Sequence, residues 1–155
     1  MDGALMEILP VVYTGSGKPG DFSWMREQEM FKNSLYVFND NEEQFDAYIA
    51  GRWDGYSIGG GNAVARPWRQ LDPPLSAGIP TGVNGVGYPS LTDTAKSKID
   101  EAFLIVENLA NSNKYERIVF SRDSSKMTLG TGIFEVGVEV RDYIFNFLMS
   151  LDNRK

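Results

Sequence analysis

Leu35-Tyr36-Val37-Phe38-Asn39-Asp40-Asn41 places four apolar residues directly before three polar ones. An unbroken apolar run between polar neighbours is the pattern of a strand covered on both faces, as in a parallel sheet packed between helices. The segments around it fit that scheme. Glu42-Glu43-Gln44-Phe45-Asp46-Ala47-Tyr48-Ile49-Ala50 predicts a helix with acid in its first turn, where negative charge suits the macrodipole. Ile8 to Tyr13 predicts a strand closed by the turn Thr14-Gly15-Ser16-Gly17-Lys18-Pro19-Gly20. Asp21 or Ser23 then caps a short helix reaching to about Phe31.

Further along, Asn62 to Gln70 predicts a short helix that Pro67 limits or kinks, and a proline-rich connection follows from Leu71 to Leu75. Ala77 to Gly82 reads as a short strand with a turn, and Val83 to Pro89 as a mobile glycine-rich loop that could serve as a lid. Thr92 or Asp93 caps a helix whose Ala95, Ile99, Ala102, Phe103, Val106 and Leu109 recur near 3.6 spacing, a core-facing stripe. Arg117-Ile118-Val119-Phe120 is another buried strand. A second glycine turn, Met127 to Phe134, precedes a closing helix from Val136 to Leu151. Strands alternating with helices in this order predict one α/β domain over residues 1–155 with a mostly parallel sheet.

Composition narrows the function classes. The chain of 155 residues is 42% hydrophobic and 12% aromatic, which suits a packed core, and no apolar run approaches the ~20 residues of a membrane span. The first residues carry no basic region or long apolar stretch of the signal-peptide kind, so a cytoplasmic site is expected. With no cysteine and no histidine, thiol chemistry, the usual neutral-pH general base and the commonest zinc ligand are all missing. The acidic residues Glu42, Glu43 and Asp46 look like a helix start and not an oxygen cage, so neither a metal nor a cofactor is expected. A net charge of −6 argues against broad nucleic-acid binding and leaves a small ligand or a protein as partner.

Three stretches have the chemistry of a ligand site. Ser57-Ile58-Gly59-Gly60-Gly61-Asn62-Ala63-Val64-Ala65-Arg66 runs a triple glycine into a helix start, where backbone can approach a ligand and unpaired N–H groups favour phosphate; an ordinary flexible turn has the same composition. Asn39-Asp40-Asn41 stands at the carboxyl end of a strand, where α/β folds collect ligands, and reads either as amides for a ribose or as a polar turn. Arg66 and Arg69, three apart, suit an anionic ligand or simply solvate a helix face.

Taken in order, Gly20-Asp21-Phe22-Ser23, Val37-Phe38-Asn39-Asp40-Asn41, Gly59-Gly60-Gly61-Asn62-Ala63 and Gly130-Thr131-Gly132-Ile133-Phe134 resemble the successive motifs of macrodomains, which bind ADP-ribose. The chain is also similar to small macro-like proteins, some phage-borne, through Val37 to Asn41, Gly59 to Gly61 and Ile79-Pro80-Thr81. The resemblance spans about Gly20 to Leu148 and departs from the family where Phe38 replaces an asparagine, where Glu135 replaces a glycine, and in the build of the segment from Asn41 to Gly59. It implies a three-layer α/β/α sandwich with a mixed, mostly parallel sheet.

By the same resemblance Asp21 would hold the adenine amino group, Asn41 with Asn39 beside it would meet the distal ribose, and Gly59, Gly60, Gly61, Asn62 and Ala63 would line ribose and diphosphate. Gly130, Thr131, Gly132, Ile133 and Phe134 would wrap the phosphates through backbone N–H groups. Three functions are compatible with this set: binding of ADP-ribose, a related nucleotide or an ADP-ribosylated protein; metal-independent hydrolysis of an ADP-ribosyl or phosphate ester, with Asn41 positioning the ribose and Asp40 or Asp46 activating water; and a protein-interaction domain in which Glu135 fills the phosphate loop.

Overall fold

The computed structural model describes residues 6–52, 61–132 and 134–153. Four strands, β1 (Glu7–Val11), β2 (Ser34–Asp40), β3 (Ser76–Pro80) and β6 (Arg117–Ser121), form a sheet in the order β1-β6-β2-β3, and every pairing in it is parallel. The antiparallel component is separate: β4 (Gly82–Val83) and β5 (Val86–Gly87) make a small ribbon of their own. Helices α1 (Phe22–Met25), α2 (Glu42–Ile49), α3 (Asp93–Ala110) and α4 (Val138–Ser150), with a 3-10 helix at Gly61–Gln70, complete an α/β fold of three layers.

Strand alternation assigns the layers. Leu35 and Val37 of β2, Ala77 and Ile79 of β3, and Ile118 and Phe120 of β6 pack with α3 and α4 in one core. Tyr36, Phe38 and Val119 point the other way, into a smaller core with Phe22 and Met25 of α1 and Ala65 of the 3-10 helix. The unbroken apolar run of β2 is thus buried on both faces, and the strand extends two residues further than the apolar run, through Asn39 and Asp40. Thr92 Oγ1 accepts from Ala95 N at 3.1 Å to start α3, and Ala95, Ile99, Ala102, Phe103 and Val106 are buried as the periodicity predicts, while the stripe closes on buried Ala110 with Leu109 only partly buried. Phe103 of α3 stacks on Phe147 of α4 with ring centres 3.8 Å apart.

Three expectations are corrected. The segment after β3 is not a mobile loop: Asn84 and Gly85 both have positive φ, the requirement of a tight primed hairpin turn, and the ribbon continues into buried Tyr88, whose hydroxyl donates to Glu42 Oε1 at 2.7 Å. The helix expected up to Phe31 stops at Met25 and resumes only as a 3-10 turn at Glu29–Phe31. The closing helix starts two residues later than Val136, so Glu135 to Gly137 separate the second glycine turn from it. No helix among the described residues is long and apolar enough to cross a membrane.

Candidate functional site

All four parallel strands point their carboxyl ends at one cavity of about 630 Å³. Tyr13 lies just beyond β1, Ser121 and Arg122 at the end of β6, Asn39, Asp40 and Asn41 at the end of β2, and Thr81 beyond β3. Such an edge is where open α/β sheets bind ligands, and the volume falls within the roughly 300–1,000 Å³ of small-molecule sites. Gly61, Asn62 and Ala63, the first turn of the 3-10 helix, line the same space as Gly130, Thr131, Gly132 and Phe134. The fold therefore joins the two glycine segments across about half the chain. Gly59, Gly60 and Ile133 lie outside the described residues.

The second glycine segment is held from below. Asn39 Nδ2 donates to Gly130 O at 2.7 Å, and Gly130 N donates to Ser121 O at 3.0 Å. A Cβ at Gly130 would lie 2.5 Å from Arg122 O, so glycine is required there for the loop to approach β6. Thr131 and Gly132, by contrast, have no acceptor for their backbone N–H groups among the described residues, and a Cβ at Gly132 would meet nothing within 4 Å. These two amides are free to meet a ligand. The N-terminus of α4 takes no part, since Gly137 N is bonded to Tyr88 O at 2.8 Å and no residue of α4 lines the cavity.

The first glycine segment is fixed by Asn62. Its Oδ1 accepts from Phe22 N at 2.9 Å, while its Nδ2 donates to Gly20 O at 2.9 Å and to Ser121 Oγ at 2.9 Å. Asn62 is thus a strut in the wall as well as part of its lining. Asn41 caps α2, accepting from Gln44 N at 2.8 Å through Oδ1, and its amide nitrogen has no acceptor among the described residues.

Asp40 has a different role from the one its sequence position suggests. As the last residue of β2 it shares the face of Phe38, which aims its carboxylate into the layer of the 3-10 helix. There Oδ1 accepts from Arg66 Nε at 3.0 Å and from Asn41 N at 2.9 Å, and Oδ2 accepts from Arg69 Nη1 at 2.7 Å. Asp40 is 1% exposed and both arginines 3%, so the three form a buried charge cluster under the cavity. The Arg69 guanidinium also lies 4.4 Å from the Tyr48 ring centre and 5.3 Å from that of Phe38. This corrects two readings at once: Arg66 and Arg69 do not solvate a helix face, and Asp40 is a structural anion with both oxygens engaged, not a base poised over a water.

The other carboxylates considered are also committed. Asp21 accepts from Gly17 N at 2.8 Å through Oδ2 and from Ser23 N at 3.1 Å through Oδ1, capping α1, and it is not among the residues lining the cavity. Asp46 pairs with Lys98 at 2.6 Å, outside the cavity. Asp123, which does line it, turns its Oδ2 to Ser125 N at 3.0 Å, Ser125 Oγ at 2.8 Å and Lys126 N at 3.1 Å; the Ser125 backbone bond first, then its hydroxyl, hold the carboxyl below the usual carboxylate range. Among the described residues no group of three or more acidic side chains is placed to hold a metal.

Of the cavity lining, Phe134 was expected from the sequence, while Tyr13, Ser121, Arg122 and Asp123 were not. Tyr13, 39% exposed at the mouth, and Phe134 offer aromatic faces on which a base can stack. The only sequence signal for Tyr13 was its place directly before a glycine-rich turn. No family model, curated protein or solved structure matches this chain.

Proposed function

We propose that the chain is a binding module for ADP-ribose or a related nucleotide diphosphate, held at the carboxyl edge of the parallel sheet. The observation that carries this reading is the meeting of the Gly61–Ala63 turn and the Gly130–Gly132 loop in one cavity, the latter with two backbone N–H groups left without acceptors. Unpaired amides on a small-residue loop suit phosphate oxygens, and the resemblance to macrodomains names the diphosphate they would wrap. The amide nitrogen of Asn41 supplies a donor for a ribose hydroxyl, and Tyr13 and Phe134 supply apolar faces for a base.

Binding is favoured over hydrolysis by one specific feature. Of the carboxylates that line the cavity among the described residues, Asp40 is shared by two arginines, and Asp123 has Oδ2 bonded within its own loop and Oδ1 4.0 Å from Arg141 Nη1, so each is held by partners that favour the weakly basic, ionised form.

The test is thermal stabilisation. ADP-ribose at 100 times its dissociation constant adds about 2.7 kcal/mol to the folded state, and it should raise the melting temperature more than adenosine, which has no diphosphate for the amides. Equal shifts from the two ligands, or none, would overturn the assignment. Incubation with an ADP-ribosylated protein and with ADP-ribose 1″-phosphate checks the second point: neither should be cleaved.

A further inference from the structure

Arg122 leaves the end of β6 with its backbone N–H bonded to Val11 O at 2.8 Å and its Nη1 bonded to Asp123 O at 2.7 Å. The side-chain bond fixes one end of the guanidinium at the cavity wall. The opposite edge, Nε with Nη2, has no acceptor among the described residues, and no carboxylate among them pairs with it. That edge carries two parallel N–H groups at the spacing of two phosphate oxygens. The adjacent carboxylate, Asp123, turns its Oδ2 to Ser125 and Lys126 and its Oδ1 toward Arg141, 4.0 Å away. In a chain with 21 acidic and 15 basic residues, a half-buried guanidinium left without a carboxylate at the rim of a cavity is a site kept for an anion from outside.

We infer that Arg122 is the anion anchor of the cavity, forking two oxygens of a phosphate through Nε and Nη2 while the N–H groups of Thr131 and Gly132 close on the same group. The two elements are contiguous: Gly130 packs directly on the Arg122 carbonyl, so the free amides begin one residue from that contact. Arg66, the other arginine lining the cavity, is committed to Asp40. Arg122 therefore sets the ligand class as phosphate-bearing. For the rest of the ligand this rests on the nucleotide-diphosphate reading, but the anchor itself can be tested without a nucleotide.

The experiment is calorimetric titration of the full chain with inorganic pyrophosphate and, separately, with ADP-ribose, for the parent, Arg122→Gln and Arg122→Lys, each checked for fold by circular dichroism. Glutamine keeps the backbone bonds of residue 122 and removes the charge and the fork, so pyrophosphate affinity should fall at least tenfold, equivalent to about 1.4 kcal/mol. Lysine keeps the charge without the fork and should fall between the two. Parent affinity should also weaken as salt is raised. If the parent binds pyrophosphate through Arg122 but gains nothing from the nucleotide, the anchor stands and the nucleotide reading fails. If ADP-ribose binds the parent and Arg122→Gln equally, the nucleotide reading stands and the anchor is wrong. A parent that takes no pyrophosphate at low salt also overturns the anchor.

Discussion

Gly78 stands opposite Phe38 in the sheet and supplies the space into which the Arg69 guanidinium reaches: a Cβ at position 78 would lie 2.9 Å from Arg69 Nη1 and 2.8 Å from Asp40 Oδ2. The missing side chain on β3 is what lets a cation sit against the sheet. Gly78→Ala should therefore destabilise the fold by about 1–3 kcal/mol through overpacking of a buried, already bonded group. Denaturant unfolding measures it, and a variant as stable as the parent would mean the charge cluster has room to shift.

Removing members of that cluster should give unequal costs. Asp40→Asn leaves two buried guanidinium groups facing a neutral amide, and the loss of one partner from a buried pair is worth roughly 3–5 kcal/mol. Arg69→Met leaves Asp40 still bonded to Arg66 Nε and Asn41 N, so it should cost less. The order of the two midpoints is the check. An Asp40→Asn protein at least as stable as Arg69→Met would contradict the assignment of Asp40 as the shared anion.

The two glycines of the second loop should separate stability from binding. Gly132→Glu has open space for its side chain, so the fold should survive, while bulk and negative charge at the free amides should lower ADP-ribose affinity at least tenfold, about 1.4 kcal/mol. Gly130→Ala meets the Arg122 backbone and should lower the melting temperature instead. A folded Gly132→Glu protein that binds like the parent would move the site elsewhere.

Tyr88 gives a pH dependence of known sign. Burial, and then its bond to the Glu42 carboxylate, push its phenol above the ordinary 10.0. Up to that pH the proton is held in both folded and unfolded chains, so the contribution is fully present. Above it the unfolded chain releases the proton while the folded chain keeps it, and stability falls as pH rises. Tyr88→Phe should be less stable at pH 7 by about 0.5–1.5 kcal/mol, the usual net worth of one hydrogen bond, and should lack this alkaline component. Unfolding curves collected from pH 7 to 11 should converge for the two proteins; parallel curves would refute the assignment.

The parts of the fold legible in the sequence are those that local pattern controls. The stripe of α3, the doubly buried β2 and the acid-rich start of α2 depend on residues within a few positions of one another. The parallel sheet follows from the order of such segments. The buried charge cluster was not legible, because Asp40 meets Arg66 and Arg69 across 26 and 29 residues and only the direction of the last β2 side chain decides that they touch. Arg122 was hidden for a similar reason: an arginine in a polar loop is commonplace until the unused edge of its guanidinium is found at a cavity wall. The ribbon after β3 could have been read from Asn84-Gly85, whose two positive φ angles suit a tight hairpin, but the surrounding glycines drew the reading toward a mobile loop.

Asn62 joins Gly20, Phe22 and Ser121 through a single side chain, so segments from the first, second and last thirds of the chain are set relative to one another before any ligand arrives. The conformational entropy of that wall is surrendered when the protein folds, and a ligand entering the cavity has only itself to immobilise. Recognition at this edge of the sheet is therefore rigid on the Asn62 side, and differences in affinity between ligands should show in how fast they leave more than in how fast they enter.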